Sequence, residues 1–237
     1  MKFIFFAIVG AMIPWAAQAL PDASNRSDAY PKAFSFNGIP APDTLFHQQI
    51  PLLKKQASTG TADASAKAAS LYEGLRKCRD LREQSSGGKA DAYCKGVTQA
   101  DLDSAFSWLT TAAEGGLPEA TYVYATSAMD EEKRLLGTRA STSIKYEVVG
   151  KSRNYLETLA QSCNVDALRT LYDQRLKGGS LYEKDAAKAY AFQTELATLK
   201  PALIAKPERD SLASQLTPEQ TSAAEAEAAT YLSSRCR

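Results

Sequence analysis

The amino-acid sequence predicts an all-α protein: an α/α solenoid of stacked helix pairs, with an extended arm before it and a packing helix at its C-terminal end. Three observations carry that expectation. Beyond residue 42 the texture is Ala, Leu, Glu, Lys and Gln, with apolar side chains recurring at three and four and no alternating β-branched run. The chain superimposes on itself in four places. Capping signals also stand before three expected helices: Thr98 with Asp101, Ser180 with Glu183, and Thr217 followed by Pro218, Glu219 and Gln220.

Taken in order, residues 1–19 read as a cleaved signal peptide. Lys2 is the basic n-region, Phe3 to Ile13 is uncharged and apolar, and Ala17-Gln18-Ala19 offers the small-x-small cleavage pattern. The apolar run falls short of the roughly 20 residues of a spanning helix, and Pro14 interrupts it. A cut after Ala19 predicts a periplasmic or secreted product that does not insert in the membrane. Residues 20–42 hold Pro21, Pro31, Pro40 and Pro42 with Asn37-Gly38 among them, which predicts an extended arm with turns. Residues 43–237 form the helical-repeat domain. Helix pairs are expected at 43–57 with 63–83, 101–114 with 118–135, 142–161 with 164–177, and 183–199 with a last helix at 217–235.

The repeat is visible in the residues. A shift of 47 lays Trp108-Leu109 on Tyr155-Leu156, Ala113 on Ala160, Gly116 on Cys163 and Ala120 on Ala167. A shift of 56 brings Leu52-Leu53, Ala57, Gly60 and Ala64 onto the same five positions. A further shift of 37 places Phe192 on Tyr155 and Ala197 on Ala160, while Asp185, Ala189 and Tyr190 match Asp101, Ala105 and Phe106. The large residue should fill the space between layers, the alanine should let two helices approach, and the Gly or Cys should sit where the first helix of a pair turns back. Insertions account for the unequal shifts, the largest around residues 85–94.

Asp101, Ala105, Phe106, Trp108, Ala112-Ala113, Gly116 and Ala120, with Gly96 and Gly178 between units, resemble the Sel1-like repeat, a relative of the tetratricopeptide repeat. The resemblance covers most of Leu52 to Lys200. Copy four departs from it, with Lys200-Pro201 in place of the turn glycine and Pro207 interrupting its second helix. The resemblance implies an exported bacterial-type solenoid that grips another protein on its concave face and has no catalytic residues of its own. An immunity or inhibitor protein against an envelope-targeted toxin and an envelope assembly adaptor both fit that implication. The rival expectation is a carboxylate-dependent enzyme acting on cell-wall glycan.

Composition narrows the chemistry. The 237 residues carry 28 basic and 27 acidic side chains for a net charge of +1, so neither nucleic acid nor another polyanion is an expected partner. A hydrophobic fraction of 44% with 23% charged residues fits a folded domain. His47 is the single histidine, which removes His-dependent nucleophilic sites and multi-His metal centres. It reads as a structural side chain near the start of the first helix. No nucleotide-binding, nucleophile-elbow or zinc-protease motif occurs, and no cofactor or metal is expected. Among eleven tyrosines, Tyr122, Tyr124, Tyr146, Tyr172 and Tyr182 are the candidates for lining a partner-binding groove, against the alternative that they fill the layers between helices. A helix cannot bury Tyr122 and Tyr124 equally, because they are two apart.

Four cysteines, Cys78, Cys94, Cys163 and Cys236, suit disulfides in an oxidising compartment, and no Cys-x-x-Cys pair favours zinc. They allow three pairings. Cys78 lies late in a long helix and Cys94 follows the next loop, so the chain can double back between them. Cys163 marks a helix turn and Cys236 ends the last helix. The expected bridges are Cys78 with Cys94 and Cys163 with Cys236.

Overall fold

A computed structural model describes residues 30, 32–40, 42, 46–59, 63–84, 92–136 and 142–237, with 131–136 and 142–144 described by backbone alone. The expected signal peptide, the first part of the arm, the helix start at 43–45, Gly60 and the 85–91 loop lie outside the described residues. The fold is all-helical. Among the described residues the one β feature is an isolated parallel bridge between Phe34 and Asn164, and no helix is long and apolar enough to cross a membrane.

Helix α1, Phe46–Ala57, buries Phe46, Ile50, Leu53 and Ala57, a stripe at spacings of four and three. Helix α2, Ala64–Glu83, buries Ala64, Ala68, Leu71, Leu75 and Cys78 on one face. The Thr98–Asp101 capping box opens a short helix, α3, Gln99–Asp103, which breaks at Ser104 before α4, Ala105–Glu114. Helices α5, Pro118–Leu136, and α6, Thr142–Gln161, follow. Asn164 caps α7, Val165–Lys177, by accepting the Ala167 N–H.

Asp185, not Ser180, caps α8, Ala186–Leu199, by accepting the Lys188 N–H. The expected Ser180–Glu183 start fails because residues 179–185 are committed to a loop. Gly178 ends α7 at φ 75°, Gly179 N–H donates to the Tyr182 carbonyl, Asp185 N–H donates to the Arg175 carbonyl, and Leu181 and Tyr182 are buried. Pro201–Leu203 then makes a 3-10 turn. Pro207 opens a helix instead of cutting one: it sits in the first turn of α9, Lys206–Ala213, where its missing N–H has no intrahelical partner to lose. The capping box of Thr217 and Gln220 starts α10, Pro218–Arg235.

The helices pack in chain order. α1 lies on α2, α2 on α4, α4 on α5, α5 on α6, α6 on α7, α7 on α8, and α8 on both α9 and α10. Their buried residues form two clusters. One is built mainly from α1, α2, α4 and α5, the other mainly from α6 to α10. Met129 and Tyr155 touch both.

The superimposed positions share an environment. Ala57, Ala113, Ala160 and Ala197 are all buried, as are Leu53, Leu109, Leu156 and Gln193. The residue just before each of those four is not. Leu52 is 57% exposed, and Trp108, Tyr155 and Phe192 are partly buried. Trp108 was expected to fill the layer; Leu109 does so, and the indole lies at the margin. The turns match at the level of the backbone. Gly116 and Cys163 adopt φ 80° and 66°, the left-handed region. Around them the same two bonds recur 47 residues apart: Gly116 N–H to Ala113 and Leu117 N–H to Ala112, then Cys163 N–H to Ala160 and Asn164 N–H to Leu159. This is the Schellman pattern, which satisfies the last carbonyls of a helix.

The arm is docked where it is described. Phe34 N–H donates to the Cys163 carbonyl, the Phe34 carbonyl accepts the Val165 N–H, and Phe36 N–H donates to Asp166 Oδ2 at 2.6 Å. Tyr30 is buried in the second cluster. Cys78 pairs with Cys94 and Cys163 with Cys236, at Cα separations of 5.5 and 5.4 Å. These are the pairs expected from the order of the elements.

Candidate functional site

Three of the five candidate tyrosines are core residues. Tyr124 is buried between Phe106, stacked at 5.4 Å, and Tyr155, edge-on at 5.4 Å. Tyr172 is buried with its hydroxyl donating to Glu208 Oε1 at 2.6 Å. Tyr182 is buried with its hydroxyl donating to Glu157 Oε1 at 2.9 Å, and Arg175 lies 4.5 Å over its ring. Each of the three rings is spent on packing between helices, and the hydroxyls of Tyr172 and Tyr182 are engaged in internal hydrogen bonds as well. Tyr122 is partly buried: its hydroxyl is 3.1 Å from Thr170 Oγ1, and Phe36 of the arm covers its ring at 5.2 Å. Tyr146, 74% exposed, is the one of the five set fully in solvent. His47 is partly buried in α1, with Nδ1 buried and without a hydrogen-bond partner among the described residues. Among those residues no group of three or more His, Cys, Asp or Glu side chains is placed to hold a metal ion.

The unusual chemistry lies elsewhere, on α8. This helix is enclosed by α7, α9 and α10, and every residue from Gln193 to Leu199 is buried. Glu195 sits in that run with 2% of its surface exposed. Its Oε2 has no hydrogen-bond partner among the described residues. α10 approaches α8 through Ala224, Ala228 and Leu232, two small residues and one large, all at i, i+4 spacing. Beside this contact the two helices leave an open cavity of about 440 Å³, lined by Phe192, Glu195, Ala226, Glu227, Thr230 and Tyr231. Phe192 and Glu195 are one turn apart on α8. Glu227 and Tyr231 are one turn apart on α10.

Burial, reinforced by the negative charge of Glu227, pushes the Glu195 carboxyl up to about 9, with Lys188 acting weakly in the other direction. Glu195 is therefore a neutral acid at pH 7. Lys188 Nζ is held by Glu227, at 2.8 Å from Oε1 and 3.0 Å from Oε2. The Tyr231 hydroxyl donates to the Ala160 carbonyl on α6. Burial and the neighbouring Glu195 push that phenol above its ordinary value, and Arg235 opposes the shift. A second cavity, of about 300 Å³, opens between α5 and α7 and is lined by Thr126, Met129, Asp130, Thr170, Gln174 and Ser180, among others.

No family model, curated protein or solved structure matches this chain. What the α8–α10 cavity can do must therefore be read from its atoms. A neutral carboxyl in an apolar wall can donate a hydrogen bond, or give up its proton to become the counter-ion of a cation. Sequence reasoning found no acidic residue to single out. The repeat register aligns Glu195 with Thr111 and Thr158, both exposed, so the pattern predicts an ordinary solvent-facing side chain. Burial arises because α10, which lies outside the self-aligned positions, covers that face.

Proposed function

We propose that this chain is an exported, non-catalytic protein-binding scaffold built from Sel1-like, tetratricopeptide-related helix pairs stacked as an α/α solenoid. The observation that carries the reading is the repeated turn. Gly116 and Cys163 hold the same left-handed conformation and the same pair of backbone bonds, 47 residues apart. Such units bury their apolar stripe only against neighbouring units, and stacking them creates extended surfaces suited to other proteins. Export is supported by the signal-like residues 1–19 and by the two disulfide pairs. An immunity or inhibitor role and an envelope assembly role both belong to this reading. They part on genomic context, since an immunity protein should be encoded beside its toxin.

One observation favours a second reading, an enzyme acting on cell-wall glycan: Glu195 is a neutral acid with another carboxylate, Glu227, in the same cavity. Against it stands the apolar lining, which offers few of the hydrogen-bond partners that sugar hydroxyls require. Pull-down from envelope extract with the full chain tests the choice. The expected result is one protein retained in stoichiometric amount. Turnover of peptidoglycan with no protein retained would overturn the scaffold reading.

A further inference from the structure

We propose that the cavity between α8 and α10 takes a basic side chain, lysine or arginine, presented by the partner protein, with Glu195 as its counter-ion. The inference rests on the protein-binding reading and names the chemistry of the contact. A carboxyl that is almost wholly buried with Oε2 unpartnered is costly, and an apolar side chain of similar size would pack there without that cost. A cation arriving at Oε2 supplies the missing partner and relieves the penalty.

The rest of the lining suits the same guest. Phe192, Ala226, Thr230 and the ring of Tyr231 offer an apolar passage for an aliphatic stem, which leaves Glu195 as the carboxyl open to the charged head, since Glu227 already holds Lys188. The aromatic faces favour a cation over a neutral group. Of the other charged groups near Glu195, Lys188 is bound to Glu227, and Arg235 acts electrostatically on the Tyr231 phenol. A sugar finds few polar partners here beyond Glu195, and a phosphate or a carboxylate would face the negative charge of Glu227.

The test uses the full chain with its disulfides intact and two probes of similar size, n-butylguanidinium chloride and neutral n-butanol, followed by NMR at the Phe192 and Tyr231 ring signals. Butylguanidinium should shift those signals saturably, whereas butanol at equal concentration should not. Glu195→Gln, which keeps the shape but cannot become a counter-ion, should weaken guanidinium binding by about tenfold or more. Phe192→Leu should weaken it several-fold while leaving the acid in place. In pull-down, Glu195→Gln should lose the retained partner.

Equal binding of butanol, or unchanged guanidinium affinity in Glu195→Gln, would overturn the pocket assignment. Retention of the partner by Glu195→Gln would do the same and leave the scaffold reading standing. Guanidinium binding with no protein retained by the unaltered chain would overturn both.

Discussion

Replacing Glu195 should change how stability depends on pH. The native carboxyl titrates at about 9, and an unfolded glutamate near 4.5. Between those values the native state keeps a proton that the unfolded state has lost, so stability falls as pH rises through this window. Each pH unit well inside it costs about 1.4 kcal/mol. The penalty carried by Glu195 is under about 1 kcal/mol at pH 5, about 3 at pH 7 and about 5 at pH 8.5. Glu195→Gln removes the titration and keeps the volume. The variant should match the parent protein near pH 5 and exceed it by about 3 kcal/mol at pH 7. Denaturant midpoints at the three pH values, with disulfides intact, measure the difference directly, and contributions from groups that do not sense Glu195 cancel in the comparison. A difference that does not change with pH would refute the argument, because it would mean that Glu195 ionises as freely in the folded protein as in the unfolded one.

Three further outcomes follow from the packing. Leu109→Ala, at a fully buried position, should cost about 2 to 5 kcal/mol, and Trp108→Ala distinctly less, because part of the indole is already in solvent; equal shifts in the denaturation midpoint would contradict this placement. Gly116→Ala should cost about 1 kcal/mol from its left-handed backbone alone, since a methyl group there meets nothing within 4 Å; a gain in thermal midpoint would count against the turn. Cys236→Ser should lower stability by about 4 kcal/mol through loss of a bridge across 73 residues, and non-reduced peptide mapping of the parent chain should recover Cys163 joined to Cys236.

The helices were legible because their signals are local. Thr98 and Thr217 place capping oxygens three residues before Asp101 and Gln220, and both boxes form. At Gly116 and Cys163 the self-alignment located the turn because a left-handed residue leaves a mark, glycine at one position and a strained cysteine at the other. Cys163 is tolerated at positive φ where its neighbours hold it: the bridge to Cys236, the bond from its own N–H and the arm's Phe34 N–H on its carbonyl. Burial of individual side chains was less legible. Periodicity could say that Tyr122 and Tyr124 differ, but not that Phe36, more than 80 residues earlier in the chain, would cover Tyr122. The Ser180 signal failed for a related reason. A capping pattern is a local preference, and the burial of Leu181 and Tyr182 outweighed it.

The candidate site shows how one position can acquire something that the self-alignment of the sequence does not contain. The residues aligned with Glu195, Thr111 and Thr158, are exposed threonines, where a carboxylate would also be unremarkable. What differs at Glu195 is the helix laid over it. α10 meets α8 along its small residues, Ala224 and Ala228, which brings Glu227 and Tyr231 to the mouth of the cavity. Its C-terminal end is then fixed twice, by Cys236 bridged to Cys163 and by the Tyr231 hydroxyl on the Ala160 carbonyl. Both anchor points, Ala160 and Cys163, lie at the C-terminal turn of α6, three residues apart. The cavity wall is thus held at its C-terminal end by the turn that follows α6. A helix that served only to cover apolar surface would need no such restraint beside an unpaired acid. The restraint keeps the buried carboxyl beside the cavity, where an entering cation would supply the partner that Oε2 lacks.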